Sequence, residues 1–142
     1  MSTTPTTVEL LSAIRDHLAG FKLPEPFTVE VDRQPAPAYE HVCVHLDVKR
    51  SLPAVATVLL AWADTITAVT VSVWCPPHGE TLHLTVHGQL AEGITIRVYG
   101  CVSSTATSLD MSADETRTVS LALLRAWADD AADESADGSA AA

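Results

Sequence analysis

Between Leu82 and His87 apolar and polar residues alternate without a break, with Leu82, Leu84 and Val86 in one phase and His83, Thr85 and His87 in the other. Successive side chains on a strand point to opposite faces, so a period of two dictates a half-buried strand and excludes an amphipathic helix there. The same alternation recurs in Phe27, Val29 and Val31, in the run from His41 to Val48, in Ala68 to Cys75, and in Ile94 to Val102. Pro76-Pro77-His78-Gly79 and Ala91-Glu92-Gly93 separate the last three runs. Turns that short join antiparallel neighbours, because a parallel return needs a long crossover.

Helical signals lie between and around these strands. Thr6-x-x-Glu9 forms a capping box ahead of Val8, Leu11, Ile14 and Leu18, and Gly20 offers a left-handed stop. Ser51 caps a second helix whose first turn tolerates Pro53, with Leu52, Val55, Leu59 and Trp62 as its buried stripe. Ser112-x-x-Glu115 reads as a second capping box, opening a last helix with Val119, Leu123 and Trp127 on one side. The sequence therefore predicts an α+β fold in the order α-ββ-α-βββ-α: a five-stranded, mostly antiparallel sheet with helices packed on one face. One domain is expected over residues 1–130, followed by a disordered acidic tail over 131–142 in which apolar periodicity is lost. Leu59-Leu60-Ala61-Trp62-Ala63-Asp64 and Leu124-Arg125-Ala126-Trp127-Ala128-Asp129 echo each other, and the plain account is two helices each setting a Trp over one core.

Charge narrows the partners. Eighteen Asp and Glu against eight Lys and Arg give a net charge of −10, which argues against direct binding to nucleic acid or to an anionic membrane surface. It suits a neutral or basic protein partner. A nucleic-acid mimic would need carboxylates spaced along one face, whereas many here cluster near the chain end, from Asp129 to Asp137. Met1 to Thr7 is polar and does not read as a signal peptide, and the apolar stretch from Ala54 to Ala63 is too short to span a bilayer. Three widely spaced cysteines, Cys43, Cys75 and Cys101, fit reduced thiols in a cytoplasm better than a disulfide framework.

Function is expected on the second face of the sheet. If Val42, Val44 and Leu46 turn inward, then His41, Cys43 and His45 turn outward, and by the same parity so do Trp74, His83, His87, Arg97 and Tyr99. Trp, Tyr and Arg are the residue types that dominate binding energy at protein contacts. The preferred expectation is a non-enzymatic, regulatory interaction module using this face, for a protein partner or a second copy of the chain, with no cofactor. The alternative is a metal- or small-ligand-binding protein, or a small enzyme, using His41, Cys43, His45, His83 and His87 with Arg97. Against a metal, alternate residues of one strand lie about 6–7 Å apart and rarely converge on one ion. Against a thiol nucleophile, Cys43 is mid-strand, with no oxyanion-forming loop tied to it. No phosphate-binding loop, dinucleotide fingerprint or nucleophile elbow is present in the sequence.

Four stretches carry a resemblance: Leu59 to Thr65, His83-Leu84-Thr85-Val86-His87-Gly88, Ile96-Arg97-Val98-Tyr99-Gly100, and Leu123 to Ala128. Through these the chain resembles small uncharacterised proteins of high-GC actinobacteria and their mobile elements, from Val8 to Asp129. The resemblance implies a bacterial cytoplasmic protein. It brings no activity, cofactor or catalytic residue with it.

Overall fold

The computed structural model describes residues 4–37, 39–46, 51–78, 80–107 and 109–129. Its elements are α1 (Thr7–Gly20), β1 (Thr28–Val31), β2 (Val42–His45), α2 (Leu52–Ala63), β3 (Thr67–Trp74), β4 (Thr81–Gln89), β5 (Thr95–Ser103) and β6 (Thr116–Val119). A third helix, α3, covers residues 121–129. The expected acidic tail over 131–142, and the end of the His41 to Val48 run, lie outside the described residues.

The α+β class and the helices on one face are as the periodicity implies. The sheet differs in detail. It has six strands rather than five, in the order β1-β2-β5-β4-β3-β6, and it is mixed because β2 and β5 run parallel. The segment between those two strands contains α2 and the β3–β4 hairpin, long enough for a crossover.

The sixth strand replaces the expected start of the last helix. Glu115 does accept from the Ser112 amide at 2.9 Å, as in a capping box, but Asp114 takes a left-handed φ of 62° and turns the chain. Thr116–Val119 then pairs antiparallel with β3, and Ser120 caps α3 by accepting from the Leu123 amide at 3.1 Å. Of the expected helical stripe Trp127 is buried, and Leu124 rather than Leu123 is the fully buried residue beside it.

Two features of α1 also depart from expectation. The Thr6–Glu9 capping box forms, but the helix runs through Gly20 and ends at Phe21 in extended conformation. Its buried residues are Leu10 and Ile14, which leaves Val8 72% and Leu11 49% exposed. Phe27, expected on the buried phase of β1, is exposed as well.

The core lies between the inner sheet face and the helices. Val29, Val44, Val98, Val86, Val71 and Val119 stand in register across all six strands, so a single row of valine crosses the sheet. β-branched side chains suit such a pleated, buried surface. Leu10 from α1, Leu59 and Trp62 from α2, and Leu124 and Trp127 from α3 belong to the same cluster. Both echoed tryptophans therefore cover one core. Gly100 lies under α2, with Val55 Cγ1 only 3.0 Å from where its Cβ would stand, so the helix comes close to β5 there.

Candidate functional site

Strand parity assembles the opposite face. Cys43 pairs with Arg97 and His45 with Tyr99 across β2 and β5, His87 pairs with Arg97 and His83 with Cys101 across β4 and β5, and Trp74 pairs with His83 across β3 and β4. The structure thus brings Cys43, His45, Trp74, His83, His87, Arg97 and Tyr99 to one side. His41 lies just before β2, with its amide 2.9 Å and its ring Nδ1 3.0 Å from Thr95 Oγ1, and it lines a concavity together with Cys43 and Arg97.

Four rings form a continuous array across four strands. His45 and Tyr99 have ring centroids 4.3 Å apart, Tyr99 and His83 5.8 Å, and His83 and Trp74 5.0 Å. The Tyr99 hydroxyl lies 2.7 Å from His45 Nδ1. At the far end the Trp74 indole donates to Asp114 Oδ1 at 3.0 Å, so the turn that precedes β6 also steadies the array. Offset and edge-on geometry is what ring quadrupoles favour.

Beside this array the loop between β1 and β2 folds onto the sheet. Arg97 places its guanidinium between the Tyr39 and Tyr99 rings, 5.2 and 5.5 Å from their centroids, and donates through Nε to Cys43 Sγ at 3.1 Å. Glu40 pairs with His87 Nδ1 at 2.5 Å and approaches Arg97 Nε at 3.9 Å. His87 is held on its second nitrogen too, with Nε2 3.1 Å from Ser72 Oγ. Ser72, His87, Arg97 and Tyr99 line a shallow concavity of about 570 Å³ with Tyr39 and Trp74 on its walls.

Burial sets the protonation of the face. It pushes the Cys43 thiol up, with the Arg97 hydrogen bond pulling the other way, and it pushes the Cys101 thiol up as well. The Tyr99 phenol is raised chiefly by burial. Burial, and then the Arg97 charge, lowers His83. At neutral pH the face therefore presents thiols, a phenol and a neutral His83 imidazole. A thiol so held lacks the thiolate character of a nucleophile.

The five residues weighed as a metal shell are not gathered at one point. His41 sits against Thr95, His87 between Ser72 and Glu40, and His83 near Cys101, 3.6 Å from its Sγ. Cys43 and His45 instead converge with Glu30 of β1, all three ligand atoms lying within 4.8 Å of one another. Sequence reasoning overlooked Glu30, Tyr39 and Glu40. The first was visible as the outward phase between Val29 and Val31; the other two follow a proline-rich loop that has no periodicity to read.

Among the described residues no helix is long and apolar enough to cross a membrane. Comparison with known proteins finds no matching family model, no matching curated protein and no matching solved structure.

Proposed function

We propose that this protein is a non-enzymatic, regulatory binding module that docks a protein partner on the open face of its sheet. The observation that carries the reading is the ring array His45–Tyr99–His83–Trp74, a contiguous half-buried surface lying opposite the helical layer. Solvation alone calls for polar side chains, not for two large aromatics and an arginine placed between tyrosines. Rigid aromatics offer a partner large area at low entropic cost. Cys43 and Cys101, kept as thiols by burial, argue against a nucleophilic reaction on the same face.

Charge favours a partner other than a second copy. With a net charge of −10, two copies repel, whereas a neutral or basic protein is attracted. Glu40, which reaches over the face from the loop before β2, is faced by His87 and Arg97.

The test is capture of a partner by the immobilised full-length protein from extracts of its host, followed by purification and a direct binding measurement. Trp74→Ala and Tyr99→Ala should abolish capture, while Leu11→Ala, on the exposed side of α1, should leave it intact. Binding lost only in Leu11→Ala would move the interface to the helical layer. A dimer in sedimentation that Trp74→Ala dissociates would replace the hetero-partner by a second copy.

A further inference from the structure

We infer that Glu30, Cys43 and His45 form a binding site for a divalent transition-metal ion, zinc by the chemistry of its ligands. The inference rests on the trio's geometry and is independent of the partner-docking reading.

Two strands build the site. Glu30 on β1 pairs directly with Cys43 on β2, and His45 follows Cys43 by two residues, so all three side chains leave the sheet on one side. One strand alone would not converge its alternate residues, but a longer imidazole and a cross-strand carboxylate close the distance. The ligand atoms lie within 4.8 Å of one another. Bonds of about 2.0–2.3 Å to zinc place tetrahedral ligands about 3.3–3.8 Å apart, so side-chain rotations of about 1 Å complete the shell. Thiolate, imidazole and carboxylate together select zinc and its neighbours over magnesium or calcium, which prefer oxygen alone.

The surroundings fit such an ion. The Tyr99 hydroxyl lies 2.7 Å from His45 Nδ1 and 3.0 Å from Nε2, so it can accept the N–H of one ring nitrogen once a small rotation of the ring turns the other toward the metal. Arg97 donates to Cys43 Sγ at 3.1 Å, and its own charge is faced by Glu40 at 3.9 Å. On binding, the ion displaces the Cys43 thiol proton to solvent; thiolate and carboxylate then balance its two charges, while Arg97 and Glu40 face each other. Glu30 and Cys43 also line a concavity of about 430 Å³, which gives an entry path and leaves a fourth position open to water or to a ligand.

The probe is cobalt(II), titrated into full-length protein previously stripped by a chelator, with zinc as competitor. One cobalt per chain should bind with a thiolate-to-metal charge-transfer band that zinc abolishes. Cys43→Ser should remove that band, and Glu30→Gln and His45→Gln should each weaken binding at least ~10-fold. His78→Ala, in the turn between β3 and β4 and outside both the trio and the ring array, should change nothing. Because Glu30 is exposed, Glu30→Gln keeps the test open should Cys43→Ser fail to fold. Absence of the band in the unaltered protein, its survival in Cys43→Ser, or indifference to Glu30→Gln would overturn the site.

Discussion

His17 shows how a single side chain couples the core to pH. It stacks on Trp62 at 5.8 Å and lies 2.8 Å from Thr65 Oγ1, and burial lowers its pKa. The unfolded chain therefore takes up this proton first as pH falls through about 6.5, so stability is full above that value and declines below it, until the folded form is protonated as well. His83 contributes with the same sign. Urea midpoints should be lower at about pH 5.5 than at about pH 7.5, and His17→Gln should reduce the difference. Trp62 itself is fully buried with its indole N–H lacking a partner. Trp62→Ala should cost about 3–5 kcal/mol by opening a cavity, and Trp62→Phe clearly less, since it also removes the unpaired N–H. Denaturant unfolding of the two variants checks the order. Trp62 was legible from its helical stripe, whereas the role of Glu40 was not, because nothing local says that a loop residue will reach across two strands to His87.

At the scale of elements, close approaches decide what is tolerated. A Cβ on Gly88 would stand 2.7 Å from Ile66 Cδ1 and 2.8 Å from the Thr67 carbonyl, beside the register shift in β3. The carbonyl belongs to backbone and cannot rotate away. Gly88→Ala should therefore destabilise by about 1–3 kcal/mol, and Gly100→Ala, which meets a Val55 methyl at 3.0 Å, by less. Thermal unfolding of the pair measures the difference. Most elements could be read from periodicity because one face or one stripe of each is buried. β6 could not: Ser112-x-x-Glu115 satisfies the spacing of a capping box, and only the left-handed Asp114 turns that motif into the approach to a strand. The stripe of α1 was misplaced for a similar reason, since Leu10, Leu11, Ile14 and Leu18 fit two adjacent helical faces and tertiary packing chose the one with Leu10.

For the whole molecule, parity along single strands was enough to foresee which side chains share the open face, because each strand has one apolar phase. Their partners were not foreseeable. Strand order and the parallel β2–β5 pairing determine that Cys43 meets Arg97 and that His45 meets Tyr99, and both depend on contacts 54 residues apart. The same order seats Glu30 beside Cys43 at the sheet's edge pair. The molecule that results has a valine-lined inner face under three helices and an outer face of rings, imidazoles and one arginine. The dissociation constant for the captured partner is the measurement that bears most directly on that outer face. Trp74→Ala and Tyr99→Ala should each weaken binding by at least about 2 kcal/mol, roughly 30-fold, with Leu11→Ala unchanged. Equal affinity in all three variants would contradict the proposal that the open face is where this protein binds.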